Sequence, residues 1–260
     1  LLGRHGFGSL LVTGPDRTAL RNFHLANLLA LHAGLLNSVG FVATATYSPD
    51  ATGIYASHMT GLTAMVADHL VFGDFRLVTM GVLAIASFVL GAMSCALIFN
   101  WSRRRGLRSR YSAVLVLEST LVLLLGGLAE RVAWEHHLWL FVPILCYTMG
   151  LQNAIVTKAS DAQIRTTHVT GMVTDIGIEL GKLIYRPSRA DLEPVVADVT
   201  KLTHHITIVF LFFFGGVLGA AGYLWIGYYA LIPAALFLFI LALPPLVADF
   251  RDWPAPPRVG

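Results

Sequence analysis

Long apolar stretches separated by short polar connections dominate the pattern along the chain. Six of these stretches have the roughly 20 residues that a helix needs to cross a bilayer, so the pattern predicts six transmembrane helices. They lie at approximately 25–47, 76–100, 111–129, 136–157, 205–226 and 228–248. Two further stretches, 59–73 and 169–184, are shorter and carry ionisable groups. We expect these two either to span the membrane or to enter and leave it on one side.

The composition excludes a soluble protein of this size. Hydrophobic residues make up 56% of the 260-residue chain and charged residues 13%, and that charged share is about half of the roughly 25% usual in soluble proteins. A soluble fold could not bury so much apolar surface. We therefore expect an integral membrane protein in contact with the lipid bilayer, and neither a cytosolic enzyme nor a nucleic-acid-binding protein.

The basic residues indicate how the chain crosses the membrane. If the two short stretches do not cross and 101–110 is cytoplasmic, 16 of the 18 Lys and Arg residues lie inside. Eight crossings leave only 7 inside, so the positive-inside rule favours six. A seven-span arrangement, in which only 59–73 of the short stretches crosses, places 13 inside and stays open. We expect a bacterial inner-membrane protein with a cytoplasmic arm at 1–24 and a cytoplasmic tail at 249–260.

Three short motifs occur twice in the same order, which indicates an internal duplication. The pairs are Gly34-Leu35-Leu36-Asn37-Ser38 with Gly150-Leu151-Gln152-Asn153-Ala154, Ser57-His58-Met59-Thr60-Gly61 with Thr167-His168-Val169-Thr170-Gly171, and Val89-Leu90-Gly91-Ala92 with Val217-Leu218-Gly219-Ala220. Each half, 25–129 and 134–248, has three crossings, so the second half is predicted to be inverted. The predicted fold is thus an all-α polytopic membrane protein with six transmembrane helices, two short re-entrant or buried helices and an inverted repeat, an architecture known among secondary transporters.

The same motifs resemble the YoaK-type family of bacterial membrane proteins, a domain family of unknown function. Its second-half elements, Gly-Leu-Gln-Asn-Ala and Arg-Thr-Thr-His-x-Thr-Gly, are intact here at 150–154 and 165–171. The first half departs from the family pattern, because Asn37 stands where the family has Asp and Leu62 where it has Asn. The resemblance covers roughly 26–248 and implies the fold and the membrane location. The absent carboxylate argues against proton or cation coupling at position 37.

The two His-x-Thr-Gly segments are the first candidates for a binding site. Ser57 and Thr167 are favourable helix N-cap residues, so each segment is predicted to begin a short helix. Two helix N-termini that face each other would offer N–H groups and partial positive charge to a polar or anionic solute. The predicted lining residues are His58, Thr60, Gly61, His168, Thr170 and Gly171. The alternative is that the glycines permit close helix packing and that the histidines bond backbone carbonyls.

Polar side chains inside the spans form a second group of candidates. Asn37, Gln152 and Asn153 lie in the duplicated motif, where they either line the same central site or join neighbouring helices by hydrogen bonds. Glu118 is the one charged residue in the middle of its span. A carboxylate there is costly in hydrocarbon and is expected to face the protein interior, protonated, paired or part of a proton pathway.

The second short stretch carries a further acidic candidate. Asp175 shares one helical face with His168, Gly171 and Glu179, which recur at spacings of three or four. A proton pathway along this face is one interpretation, with Asp175 handling protons. A solvated or interfacial face is the other, and we favour it for Glu179.

The motifs of the common enzyme classes are missing from the sequence. It contains no Gly-rich phosphate loop, CxxC, HExxH or GxSxG motif, so we expect no enzyme activity, metal or cofactor. The predicted function is a small-solute transporter or channel with a polar or anionic substrate between the two His-x-Thr-Gly helices. The alternative is a non-transporting accessory or assembly subunit of a larger membrane complex, and a homo-oligomer is compatible with either. A water-accessible polar cavity would favour transport, and a filled centre with an apolar flank would favour the subunit.

Overall fold

The structure, a computed structural model, describes residues 19–47, 53–107, 109–131, 134–159, 167–185 and 195–251. All regular structure in these ranges is helical, as predicted. The α-helices are α1 (Ala19–Tyr47), α2 (Met59–Phe72), α3 (Phe75–Arg104), α4 (Arg110–Leu128), α5 (Trp134–Ala159), α6 (Val169–Ile184), α7 (Val199–Ile226) and α8 (Leu231–Arg251). Short 3-10 turns follow α4 at Ala129–Arg131 and α7 at Gly227–Ala230.

Five helical stretches among the described residues are long and apolar enough to cross a membrane. They are Phe23–Thr46, Phe75–Arg104, Arg110–Arg131, Leu138–Lys158 and Val199–Asp249. The last is 51 residues long and contains both α7 and α8. The chain is therefore an integral membrane protein in contact with the lipid bilayer. Most of the predicted N-terminal arm and C-terminal tail lies outside the described residues.

Local signals in the sequence set the ends of several helices. Gly73 closes α2 in the left-handed conformation, with φ of 76°. Asp74 follows, and its carboxylate accepts the N–H groups of Arg76 and Leu77 at 3.1 and 3.2 Å, which begins α3. Asp198 begins α7 in the same way by accepting the N–H of Lys201 at 2.9 Å. This cap places the start of α7 six residues before the predicted 205, because the polar first turn of the helix lies outside the apolar stretch.

The helices pack in pairs that join the two halves of the chain. α1 packs along α7, α5 along α3, and α4 along α8. The short helices lie outside these pairs, α2 against α3 and α6 against α7. α1 and α5 also contact each other and are the most deeply buried of the long helices. The polar groups that these two central helices carry consequently face protein rather than lipid.

Glycine makes the two long interfaces between the halves possible. A side chain at Gly34 on α1 would overlap the backbone of Phe212 on α7, and one at Gly150 on α5 would overlap the backbone of Phe88 on α3. The partner helices contribute glycines as well, since a side chain at Gly91 or at Gly215 would overlap the backbone of α5 or α1. By these contacts, Gly91 in the first half corresponds to Gly215 in the second half. The third motif pair had matched Gly91 with Gly219, which lies one helical turn after Gly215.

Candidate functional site

The loop before α2 is held onto α1 by two side chains. The Thr44 hydroxyl accepts the N–H of Ile54 at 2.7 Å. Two turns earlier on α1, Asn37 accepts the N–H of Ser57 at 2.9 Å, and its Nδ2 donates to the Ser57 hydroxyl. Together these bonds fix the chain on both sides of the turn that leads into His58.

The loop before α6 is held by the corresponding residue of α5. The Thr167 hydroxyl donates to Oδ1 of Asn153 in a short hydrogen bond, and Nδ2 of Asn153 donates to the carbonyl of Met149 at 2.8 Å. Asn37 and Asn153 occupy the same position of the duplicated motif. Each therefore binds the residue before a His-x-Thr-Gly helix. The rest of this connection, 160–166, which includes Arg165 and Thr166, lies outside the described residues.

The predicted N-caps are one residue too early. Leu62 donates its N–H to the carbonyl of His58 at 2.9 Å, and Met172 donates to the carbonyl of His168 at 3.1 Å. These are the first i to i−4 bonds of α2 and α6, which makes the histidines the N-caps. The hydroxyls of Ser57 and Thr167 bond Asn37 and Asn153 instead.

One cavity of about 860 Å³ lies between the starts of the two short helices. Both loops and both helix starts contribute to its wall, and the long helices α1, α3 and α7 close the sides. The predicted site residues that line it are Asn37, His58, Thr60, His168, Thr170 and Gly171. Residues far apart in sequence and drawn from both halves of the chain thus meet at one space.

The cavity wall combines polar groups with apolar surface. Among the described residues that line it, His58 and His168 are the ionisable groups apart from Tyr55, and none is a carboxylate. The hydroxyls of Ser57, Thr60, Thr167 and Thr170 surround the two histidines. The first-turn N–H groups of an α-helix have no partner within the helix, so the starts of α2 and α6 add donors here. This lining can bind a small polar molecule or an anion.

Three predicted site residues do not line the cavity. Gly61 lies under the ring of His58, so close that a side chain at this position would overlap the imidazole. Asn153 acts on the cavity only through Thr167. Gln152 points elsewhere, with Nε2 2.8 Å from Nδ1 of His32 on α1.

Glu118 also lies away from the cavity, in a separate buried cluster. Its carboxylate is fully buried on α4, and Oε1 is 3.7 Å from Nδ1 of His32. Glu118, His32 and Gln152 thus come from α4, α1 and α5 and meet in the protein interior. The described residues contain no group of three or more His, Cys, Asp or Glu side chains that could hold a metal ion.

Asp175 is placed in an ion-pair network between α6 and α7. Its Oδ2 lies 3.2 Å from Nζ of Lys201 and 3.7 Å from Nδ1 of His205. Asp175 is not part of the cavity lining, and its contacts join two helices. The proton-handling role predicted for it stays a prediction.

Glu179 does not lie on a solvated face, and the interfacial position that we also allowed for it stays a prediction. Its side chain is 3% exposed. It accepts a hydrogen bond from Nζ of Lys182 at 2.9 Å, and one from the N–H of Asp198 at 2.8 Å. The bond from Lys182, followed by that from Asp198, holds the pKa of Glu179 below the 4.5 usual for a glutamate. Glu179 thus fastens the end of α6 to the residue that caps α7.

Several lining residues were missed by the sequence analysis. Ser38 follows Asn37 on α1, and Tyr55 lies in the loop before α2, where its ring stacks on Phe41 at 4.3 Å between centroids. Phe88, Phe212 and Phe213 come from α3 and α7. The three phenylalanines carry no polar signal that separates them from ordinary packing residues. Ser38 could have been found from the sequence, because it is polar and lies within the first duplicated motif.

The comparisons with known proteins concern the family of the chain. A family model described as "Protein of unknown function (DUF1275)" matches residues 25–243. Neither the curated proteins nor the solved structures gave a match. The match confirms that the motifs belong to an uncharacterised domain family, and it does not bear on the narrower YoaK-type name. Since it covers most of the sequence, the chain belongs to the DUF1275 family.

Proposed function

We propose that the protein is a small-solute transporter or channel that binds a polar or anionic solute between α2 and α6. The observation that carries the proposal is the cavity of about 860 Å³ into which both His-x-Thr-Gly segments open. An accessory subunit needs no such space, and a filled centre was the feature expected of one. Transporter sites built from repeats lie where the repeats meet, which is the position of this cavity.

The lining suits a solute that accepts hydrogen bonds. Thr60 and Thr170 offer hydroxyls in the first turn of the two helices, and the helix starts add N–H groups and partial positive charge. His58 and His168 can donate to a bound anion or exchange a proton with it. The absence of carboxylates among the described lining residues spares an anion from repulsion.

The corresponding contacts of the two halves support an inverted repeat. α1 packs on α7 as α5 packs on α3, and Asn37 binds Ser57 as Asn153 binds Thr167. In this arrangement the 51-residue stretch from Val199 crosses twice, because a helix of that length would measure about 76 Å against a hydrocarbon core of about 30 Å. Six crossings would leave both termini on one side of the membrane, and the distribution of Lys and Arg favours the cytoplasmic side of a bacterial inner membrane.

Cysteine labelling in intact cells tests this topology. Tyr229 lies in the exposed turn between α7 and α8, and Arg105 in the exposed connection after α3. Tyr229→Cys should react with a membrane-impermeant maleimide added outside, and Arg105→Cys only after permeabilisation. Labelling of both from the same side would contradict the double crossing. The natural Cys95 and Cys146 are buried, and each variant with one added cysteine is compared with the parent protein.

Osmotic swelling of proteoliposomes tests transport without a labelled substrate. Stopped-flow light scattering follows the entry of acetate, inorganic phosphate and glycerol, which cover an organic anion, an inorganic anion and a neutral polar solute. At least one should enter faster than into protein-free vesicles. We expect His168→Ala to abolish that entry and Thr170→Val to slow it by about tenfold, since it loses a donor to the solute.

A matched control separates the site from general damage. Thr174→Val removes a hydroxyl from α6 one turn after Thr170, where the side chain is exposed and bonds only to the carbonyl of Thr170 in the described structure. It should leave solute entry unchanged. Entry at the rate of the parent protein in His168→Ala, or entry of none of the three solutes, would remove the support for a transport site in this cavity.

A further inference from the structure

A second polar site lies in the interior, apart from the cavity. His32 on α1 is 3% exposed, and Glu118 on α4 and Gln152 on α5 are fully buried. Nδ1 of His32 lies at the centre, 2.8 Å from Nε2 of Gln152 and 3.7 Å from Oε1 of Glu118. Three helices thus bring a carboxyl, an imidazole and an amide together.

The cluster is short of hydrogen-bond donors. Both oxygens of Glu118 and Oε1 of Gln152 have no hydrogen-bond partner among the described residues, and Nε2 of His32 has none either. An ionised carboxylate in such a place keeps its full desolvation cost. A single added positive charge, delivered between Glu118 and His32, would remove this cost.

Among the described residues, no Lys or Arg side chain forms an ion pair with Glu118. α3 contributes the buried thiol of Cys95 to this part of the interior. The side of α8 that packs with α4 in this region is apolar, with Leu238, Leu241 and Ala242 buried there. Lys158 lies at the end of α5, and its Nζ lies over the ring of Phe99 at 5.0 Å.

We propose that Glu118 and His32 form a proton-binding site in which one proton moves between Oε1 of Glu118 and Nδ1 of His32. In the first state Glu118 is a neutral acid and Nδ1 accepts the N–H of Gln152. Nδ1 has a single lone pair, so the amide of Gln152 first turns and releases it. In the second state the proton has passed from Oε1 of Glu118 to Nδ1, which leaves a carboxylate beside an imidazolium. Oε1 of Gln152 accepts the new N–H, and no other group changes its charge.

Gln152 also places this site one residue from the cavity loop. The next residue on α5 is Asn153, which binds the Thr167 hydroxyl before α6. A turn of the Gln152 amide that shifts α5 would therefore act on the start of α6. This coupling rests on the proposed transport function, whereas the proton site itself does not.

The second site is not repeated at the corresponding positions of the two halves. In the alignment that pairs Asn37 with Asn153, the counterparts of His32 and Gln152 are Thr148 and Leu36. Both counterparts are buried, and the Thr148 hydroxyl donates to the carbonyl of Leu145 at 2.7 Å. An asymmetric proton site would give the two halves different roles in a common cycle.

Infrared difference spectroscopy on the reconstituted full chain tests the proton site without any solute. The parent protein should show a protonated-carboxyl C=O band that shifts in D2O and loses intensity as the pH rises. Glu118→Gln should remove this band and Glu118→Asp should move it. Asp68→Asn, which exchanges an exposed carboxyl on α2, should leave it in place. His32→Leu should move the midpoint of its titration by about one pH unit or more.

The outcomes separate the two proposals. If neither Glu118 variant alters a carboxyl band, Glu118 is ionised and the proton site is wrong. An unchanged midpoint in His32→Leu would exclude proton sharing, and loss of the band on addition of sodium at constant pH would assign the site to that ion instead. None of these results depends on solute entry, so the proton site can fail while the swelling assay succeeds, and the reverse.

Discussion

Asn37 binds the backbone N–H of Ser57 through its Oδ1 at 2.9 Å while its Nδ2 donates to the Ser57 hydroxyl. Twenty residues separate the two in sequence, and the pair fixes the approach of the chain to α2. The YoaK-type pattern that the motifs resemble has Asp here, and a carboxylate could accept both the N–H and the hydroxyl. A side chain that binds the loop therefore accounts for a polar residue at position 37, without any role in ion coupling.

The first prediction concerns this pair. Asn37→Leu should destabilise the start of α2 by about 1–3 kcal/mol, because the Ser57 N–H loses its partner. Asn37→Asp should keep the loop in place. Hydrogen–deuterium exchange of Ser57 and the following residues measures the difference, with α6 as the internal reference because Asn153 holds it separately. Equal protection in the two variants would contradict the role given to this amide.

The second prediction concerns the close approach of the long helices. Gly34→Ala and Gly150→Ala should each lower the free energy of unfolding by about 1–3 kcal/mol or more, since the new methyl group meets the backbone of the partner helix. Gly127 and Gly181 are helical glycines with no neighbouring atom within 4 Å of an added Cβ. Their alanine variants should gain about 0.5–1 kcal/mol from helix propensity.

Thermal unfolding in detergent ranks these four variants. The interface pair should unfold below the parent protein and the control pair at or above it. Because Gly34 and Gly150 occupy corresponding positions, their alanine variants should lose similar amounts of stability. A tolerated Gly150→Ala would show that α5 and α3 lie further apart than described.

The short helices were predicted almost to the residue. The expected 59–73 and 169–184 compare with Met59–Phe72 and Val169–Ile184. Each apolar run begins directly after a histidine and ends where polar residues resume. The hydropathy pattern therefore marks the same first and last residues as the helix, to within one residue. Four of the six long helices extend further than predicted, as α7 does through the Asp198 cap, because hydropathy reports only the apolar part of a helix. α4 and α8 have their predicted lengths but are displaced along the chain by one and three residues.

The site was predictable where residue type and duplication coincided. His58, Thr60, His168 and Thr170 stood out because both halves carry them, and they line the cavity. The separation of Gln152 from that site was not predictable. Adjacent residues on a helix point about 100° apart, so Asn153 reaches Thr167 while Gln152 reaches His32 on another helix. Only the packing of α1, α4 and α5 decides that direction.

The third prediction compares the two glycines of the His-x-Thr-Gly segments. Gly61→Ala should displace the imidazole of His58, because the added methyl group would occupy the place of the ring. Gly171 has open space around an added Cβ, so Gly171→Ala should leave His168 where it is. Modification by diethylpyrocarbonate, followed by mass spectrometry, should show an altered rate at His58 in the first variant. An equal rate in Gly61→Ala and the parent would contradict this contact.

The fourth prediction follows from the lowered pKa of Glu179. A carboxyl whose pKa is lower in the folded state binds protons more weakly there than in the unfolded chain, so stability falls as the pH decreases. The contribution is complete above the usual value of 4.5 and is lost as the pH falls through the lowered pKa of the folded state. Because Glu179 binds the Asp198 N–H, acidification should release the end of α6 from the start of α7.

Exchange of the Asp198 amide, corrected for the intrinsic pH dependence of exchange, measures this release. Protection should persist at pH values above 4.5 and decline below the folded pKa. Lys182→Met removes the largest cause of the lowered pKa and should move the decline to higher pH. Glu179→Gln removes the titration, so its protection should not vary with pH in this range. A decline that stays unchanged in Glu179→Gln would assign the pH dependence to another carboxyl, with Asp175 and its pair to Lys201 as the next to replace.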